Sequence, residues 1–498
     1  MENNQEKKKI DKAVLKKISL TMSIIQTVLA VVVVIFCFIT GLIPPVYIVL
    51  IAIVLGLISA GFIFCSLKNK IQMIIIAVSM ILVIVLSFGV YYLARTNSAL
   101  DKITAADEKE SVINVYVSNK SEAENINDAV NGGYTFGILT KGDRENVLKM
   151  ITDITSTIGV SVTTKEYSSI YDIARGMQTR EIQAFIVNEA YVGLLRDDED
   201  YSEFCDSIKV LVGMSMNEKL EVAPESDDRD KFVIYVSGID VFGSVNVTSR
   251  SDVNILVVVN NETKTVLLIS TPRDYYVNLS ISGIEKDKLT HAGIYGVDVS
   301  KDTLAKLYST HIDYFLRMNF TGFIEIIKNL NGIRVYSDYE FDMEGYHYNQ
   351  GYNTFSGAEA LSFARDRDSF KDGDRQRGRN QMAVIRGVIE KMESSDILYN
   401  YGDLMDSLSD SFETSMPKDH IGYIVQDQIE SKAEWNILSY SVNGTDSMGL
   451  CYSSGSEWLY VMEPDQDTVN YGKQLIDDVL AGRNVTQDMI NMYMADHE

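Results

Sequence analysis

Between Ile18 and Leu67 the chain carries no Asp, Glu, Lys or Arg, and between Ile71 and Ala94 it again carries none. A bilayer core about 30 Å thick needs ~20 apolar helical residues to cross it, and uncharged runs of this length exceed a helix buried in a globular core. Gly41 and the Pro44-Pro45 pair interrupt the first run, so the pattern predicts spans near 18–40, 46–66 and 72–94. A cleaved signal peptide is one short apolar run, which three spans do not match. Six lysines, from Lys7 to Lys17, precede the first span, and Lys68 and Lys70 lie between the second and third. Positive-inside bias then predicts a cytoplasmic N-terminus in a multi-pass cell-membrane protein, with everything after about residue 95 extracytoplasmic.

The net charge of −24 is unevenly spread. Eight lysines and three acids give residues 1–94 a charge of +5, so the remainder carries −29. General nucleic-acid binders present a basic face, and no nucleic-acid partner is expected here. Four cysteines exclude a disulfide scaffold. Cys37 and Cys65 fall in the spans; Cys205 and Cys451 fall outside, where a disulfide is chemically permitted.

The organisation reads as a basic N-terminus (1–17), three spans (18–94) and a polar stalk (95–110). A small α/β accessory domain (111–215) follows, with strand-like runs at 113–117, 136–139, 161–167 and 184–188 alternating with helical periodicity. A polar linker (216–230) leads to a larger domain (231–485) and a tail (486–498). In the larger domain 232–238, 254–260 and 265–271 are β-branched apolar runs of the kind buried in a sheet, with Asn260-Asn261 as the hairpin turn. Helices are expected near 301–309, 320–330, 357–363, 376–393 and 468–480, and further strands at 332–338, 436–442 and 457–464. The fold class is α/β, a mixed β-sheet flanked by helices, preceded by the accessory domain and an all-α membrane anchor.

Residues 365–386 hold Arg365, Arg367, Arg375, Arg377, Arg379 and Arg386 in an otherwise acidic region. Guanidinium groups at a helix start suit a diphosphate, although Asp366, Asp368, Asp372 and Asp374 interleave with them and equally suit an ion-pair lattice. Ser249-Arg250-Ser251-Asp252 adjoins one β-run and Thr271-Pro272-Arg273-Asp274 follows another, at strand ends where α/β sheets place ligands. Asp240, directly after the 232–238 run, and Asp252 together suit a shared hard divalent cation, although either one alone is more simply a turn or cap residue.

The ordered set GID (238–240), RSD (250–252), TPRD (271–274), KLTHAG (288–293), the SGAEALSFARDR run and GDRQRGRNQ (373–381) resembles the LytR-CpsA-Psr family, and the three spans plus an extra domain resemble its CpsA-type members. The resemblance implies an extracytoplasmic phosphotransferase that moves a glycopolymer from polyprenyl (undecaprenyl) pyrophosphate to peptidoglycan, forming a phosphodiester. It implies that Arg250, Arg273, Arg365, Arg367, Arg377 and Gln381 hold the pyrophosphate. Asp240 and Asp252 would hold Mg2+ (Mn2+ in its place), and Asp252 and Arg273 would be catalytic, with Asp252 the candidate to take the attacking proton. Polysaccharide-export machinery is an expected partner, and capsule, wall teichoic acid and rhamnose-type glycan all remain open as the polymer. Thr271 before the proline, Asn380 before Gln381, and His291 depart from the family pattern.

Two other readings use the same residues: a hydrolase of the lipid pyrophosphate, with water as nucleophile, and a non-catalytic membrane-bound regulator of envelope polysaccharide. Against the regulator stand the absence of a DNA-binding motif and the roughly seventeen residues before the first span.

Overall fold

A computed structural model of the full chain describes residues 2–68, 70–105, 108–196, 198–220, 228–239, 245–371, 373–392 and 401–497. The chain divides into two compact units, residues 1–104 with 416–434, and residues 105–415 with 435–498.

The first unit contains helices Glu2–Thr40, Pro45–Leu67 and Gln72–Ile103. Stretches of all three are long and apolar enough to cross a membrane, with mean hydropathies of 2.8, 2.9 and 3.0. Gly41, at φ +66°, and Pro44-Pro45 make the first break: Pro45 fits the first helical turn because its missing N–H has no intrahelical acceptor there. The third helix runs on through Ile103, across most of the expected stalk. Within the bundle Gln26 Nε2 donates to Ser59 Oγ at 3.2 Å. Residues 416–434, which lie inside the expected 231–485 segment, belong to this unit. Their helix, Lys418–Ser431, ties to the bundle through Gln426, whose amide donates to the Gly41 carbonyl at 2.5 Å, and Lys418, 2.7 Å from Asp101.

In the second unit the accessory sheet has the order β3-β2-β4-β1-β5. Its strands are β1 (Glu108–Ser118), β2 (Thr135–Leu139), β3 (Thr163–Tyr167), β4 (Ala184–Asn188) and β5 (Ile208–Lys219). The four expected strands are present. β5 extends the sheet beyond the expected boundary at 215: its period-two pattern of half-buried and exposed residues is that of an edge strand. Asp143 precedes the helix Arg144–Ile158 as expected, but its carboxylate accepts from the Asn146 and Asn188 side chains and makes no cap bond.

The larger sheet has the order β16-β11-β6-β7-β8-β17. It begins with β6 (Lys231–Ile239), β7 (Ser251–Asn260) and β8 (Thr265–Ser270), joined antiparallel. Asn260 pairs with Thr265, so the hairpin turn is the four residues between them rather than Asn260-Asn261. The Asn260 side chain accepts from Thr263 N–H, and Lys264 takes φ +51°. Short strands β9 (Tyr276–Asn278) and β10 (Lys286–Lys288) form a ribbon, and β11 (Tyr314–Asn319) lies parallel to β6. Two small ribbons, β12 (Ile333–Ser337) with β15 (Gly351–Phe355) and β13 (Phe341–Met343) with β14 (Tyr346–Tyr348), pack beside the helices Gly357–Arg365 and Asp374–Met392. β16 (Phe412–Thr414) and β17 (Asn436–Ser441) close the two edges, and β18 (Gly444–Leu450) pairs with β19 (Trp458–Pro464). The segment 486–498, expected as a tail, contains the helix Gln487–Ala495, whose Ile490 is buried in the core under the larger sheet.

Cys205 and Cys451 share one buried apolar cluster and both are free thiols, so the disulfide that would tie the domains is not formed. That cluster, which also holds Tyr171, Leu195, Ile294 and Val461, joins accessory and larger sheets through packing instead.

At the sheet edge Arg317 on β11 faces Glu413 on β16, 2.7 Å apart and both buried; burial pushes the Glu413 carboxyl up despite the guanidinium beside it. Removing one member leaves an unpaired buried charge, so Arg317→Ala is expected to destabilise by about 3–5 kcal/mol, and Arg317→Met with Glu413→Leu to recover most of it. The unfolding midpoint of the full chain in detergent, followed by near-ultraviolet circular dichroism, measures both.

Candidate functional site

The C-terminal ends of β6, β8 and β11 and the start of β7 meet at one edge of the larger sheet. Against that edge lie the helix Gly357–Arg365 and the helix Asp374–Met392. The first is fixed by a reciprocal cap: Ser356 accepts from Glu359 N–H while Glu359 accepts from Ser356 N–H. The second approaches closely because Gly378 lacks a side chain; a Cβ there would lie 2.4 Å from Ser270 Oγ at the end of β8.

This arrangement encloses a cavity of about 480 Å³, within the range of small-ligand sites. Its walls differ in character. The side next to β11 is apolar: Met318, Phe323 and Val384 belong to one hydrophobic cluster there, and Phe320, Leu361 and Ile385 also line the cavity. The other is charged, with Asp252, Arg273, Asp274, Lys288 and Arg377. Arg365, Arg367, Gln381 and Tyr460 also line it.

The arginine-rich stretch divides by helix face. Arg377 and Gln381, four residues apart, share the side turned to the cavity. Arg375 and Arg379 bond Asn443 and Gln376 instead, and Arg386 donates to the Ile437 carbonyl. Part of the interleaved acid is structural: Asp366 is buried and accepts the Asp368 and Ser369 N–H groups at 3.1 and 3.2 Å, shaping the loop that carries Arg367. Arg377 pairs with Asp374, Arg367 lies 3.4 Å from Asp368, and the Arg365 guanidinium stacks 4.8 Å from the Phe320 ring centroid. The ion pairs expected of the interleaved acids are thus present, while Arg365, Arg367 and Arg377 still line the cavity.

Asp252 Oδ1 receives the Thr290 hydroxyl and the Arg273 guanidinium, each at 3.0 Å. Burial raises the Asp252 pKa, but Arg273, Arg250 and Arg377 together outweigh it and hold the carboxylate below its usual range. A carboxylate so held is a weak base. Asp274 is likewise buried, and Lys288, 3.0 Å away, with Arg273 brings it below the usual range. Arg250 does not line the cavity. Its guanidinium is buried behind Asp252, with Nε 3.9 Å from where a Cβ on Gly193 would stand, and burial lowers its pKa. Asp240 lies outside the described residues. Thus Asp252, Arg273, Arg365, Arg367, Arg377 and Gln381, residues the family resemblance singles out, all line one cavity.

Lys288, Asp274, Thr290 and Tyr460 are additional. The first three stand in the TPRD and KLTHAG motifs but carry no local signal of their own, and Tyr460 arrives from β19. Beneath Lys288 and Thr290 the Asp287 carboxylate is fully buried. It accepts the Lys288 and Ser453 N–H groups at 2.7 and 2.8 Å and lies 2.7 Å from His291 Nδ1. His291, the unusual residue of that motif, is therefore part of the floor that sets Lys288 and Thr290.

The depressed carboxylates make stability pH-dependent. Asp252 and Asp274 bind fewer protons folded than unfolded, so their contribution is full above the unfolded value of ~3.9 and disappears as pH falls through the folded values. Asp274→Asn is expected to flatten the fall in thermal midpoint of the full chain below pH ~4; an unchanged slope would contradict this.

The LytR_cpsA_psr family model matches residues 205–470, just over half of the chain. The polyisoprenyl-teichoic acid–peptidoglycan teichoic acid transferase TagU of Bacillus licheniformis is 28% identical over 245 residues, 49% of this chain and 79% of that protein. TagT of Bacillus subtilis, with the same descriptive name, is 35% identical over 207 residues, 39% of this chain and 63% of its own length. Among solved structures, TagT bound to LI-WTA aligns at 27% identity with 52% of this chain and 94% of its own, with a TM-score of 0.41. With its motifs gathered at the sheet edge and the family model matching more than half of its length, the chain belongs to the LytR_cpsA_psr family.

Proposed function

We propose that this protein is a membrane-anchored transferase that moves a glycopolymer from a polyprenyl pyrophosphate to peptidoglycan, with its catalytic unit on the extracytoplasmic side. The observation that carries this reading is the two-ended cavity. A pyrophosphate fits among Arg273, Arg365, Arg367, Arg377 and Lys288, and an isoprenoid chain fits the wall of Phe320, Phe323, Leu361, Val384 and Ile385. The relatives' names, which pair a polyisoprenyl-linked polymer with peptidoglycan, support the same pairing of donor and acceptor.

In the proposed reaction a sugar hydroxyl of peptidoglycan, the C6 hydroxyl of N-acetylmuramic acid, attacks the sugar-proximal phosphorus. A new O–P bond forms, and the bond from that phosphorus to the bridging oxygen breaks. Polyprenyl monophosphate leaves with the electron pair, and the hydroxyl proton passes to solvent or to the departing phosphate. Charge grows on the bridging oxygen, where the fixed guanidinium groups of Arg273, Arg365, Arg367 and Arg377 stabilise it. Asp252 fits a divalent cation: it lines the cavity, and the surrounding guanidinium groups keep its carboxylate ionised. Mg2+ held there with Asp240 would neutralise phosphate charge. Asp252 in this account holds Arg273 in place and anchors the cation, since its depressed pKa makes it a poor acceptor for the hydroxyl proton. Gln381, on the cavity side of its helix, is the neutral donor toward phosphate oxygens. Arg250 acts from behind by keeping Asp252 charged.

The test uses the full chain in nanodiscs with a polyprenyl pyrophosphoryl disaccharide and Mg2+, with and without a peptidoglycan oligomer. Polyprenyl monophosphate and a phosphodiester-linked product are expected only when the acceptor is present. Arg365→Ala, Arg367→Ala and Arg377→Ala should each lower the rate by roughly 10²–10³, as loss of one oxyanion donor does elsewhere. Equal release without acceptor would make the protein a hydrolase, and near-normal rates in all three variants would remove the assignment.

A further inference from the structure

We infer that the open face of the β18–β19 hairpin is a docking track for the first sugar rings of the donor, directly beyond its pyrophosphate; the inference rests on the donor reading above. Strand pairing sets Met448 opposite Tyr460 and Leu450 opposite Trp458. Because side chains alternate along a strand, these four share one face. They are 54%, 42%, 42% and 59% exposed in that order, while Leu459 and Val461 on the other face are buried in the cluster that joins the two sheets. Lone exposed apolar residues are ordinary, but two aromatic rings with two aliphatic chains on one small ribbon form a patch, and patches mark contact surfaces.

The face is continuous with the cavity. Tyr460 belongs to the cavity wall, and Lys288 Nζ stands 5.7 Å from its ring centroid. The Tyr460 hydroxyl donates to Asp446 Oδ1 at 2.8 Å. The track therefore starts at the charged end, next to Lys288, and runs outward to Trp458. The polarity of the cavity then decides what passes over it. The isoprenoid chain belongs to the apolar end, so the sugar joined to the outer phosphate leaves by the charged end and meets Tyr460 first. Pyranose rings offer apolar C–H faces edged by hydroxyls. Trp and Tyr match the faces, and the Asp446 carboxylate accepts from hydroxyls. Residues two apart on a strand are separated by about 6.6 Å, so Tyr460 and Trp458 meet successive rings. A bilayer surface is the competing occupant, and the Asp446 carboxylate beside Tyr460 on this face opposes it at an anionic membrane.

Trp435 and Trp458 are the only tryptophans in the chain, so Trp435→Phe leaves Trp458 as a single fluorescent reporter. The full chain in nanodiscs is titrated with polyprenyl pyrophosphate and with the same lipid carrying an N-acetylhexosamine disaccharide. Both are expected to bind, the disaccharide form about five- to tenfold more tightly and with a blue shift of Trp458 emission. In the chain that retains Trp435, Trp458→Ala should erase that advantage while leaving affinity for the sugar-free lipid unchanged. Equal affinities in both chains would overturn the track but leave the cavity reading intact. Failure of either lipid to bind would overturn both. Quenching of Trp458 by brominated acyl chains without donor would place this face in the bilayer and overturn the track.

Discussion

Guanidinium groups gathered around one cavity repel one another, and burial adds a desolvation cost. The protein meets that cost with carboxylates placed one by one: Asp252 against Arg273, Asp374 against Arg377, Asp274 against Lys288. The acids neutralise the site without filling it, so the cationic surface stays directed into the cavity. Three features of the larger domain hold these groups in place. The mixed sheet brings four strand ends to one edge, Gly378 lets a helix approach that edge, and the buried Asp287 with His291 fixes the corner that carries Lys288 and Thr290.

Three helices long and apolar enough to cross a membrane suit the proposed donor. A donor with an isoprenoid tail is confined to a bilayer, and an enzyme anchored in the same bilayer meets it by diffusion in two dimensions. The first unit includes the helix Lys418–Ser431 together with the three apolar helices, so the chain returns to its membrane unit after most of the larger sheet has formed. The second unit, accessory and larger domains together, is thus joined along the chain to the first at residues 104–105, 415–416 and 434–435 rather than by a single tether.

Much of this was legible in the sequence, for identifiable reasons. Charge-free runs announced the spans, and runs such as NILVVVN and TVLLIS announced central strands because a sheet covered on both faces leaves no polar alternation. The helices at 320–330 and 376–393 showed through periodicity. What sequence reading lacked was whatever depends on pairing between distant segments. Six arginines between 365 and 386 read as one feature, yet only the helix phase separates Arg377 from Arg375 and Arg379. Arg250 sits one position from Ser251 at the start of β7, but the packing of the accessory helix Glu189–Arg196 against it puts it behind the cavity. Tyr460 reaches the site through the β18–β19 ribbon, and no local pattern marks it. β5 escaped because an edge strand alternates polar and apolar residues and merges with the polar segment that follows.

The central claim is that arginines separated by about a hundred residues hold one anionic head group. A structure of the full chain with a polyprenyl pyrophosphate bound tests it most directly. The account predicts the diphosphate among Arg273, Arg365, Arg367 and Arg377, with the isoprenoid chain along Phe320 and Phe323. A diphosphate bound elsewhere on the chain, with those four side chains making no contact to it, would contradict it.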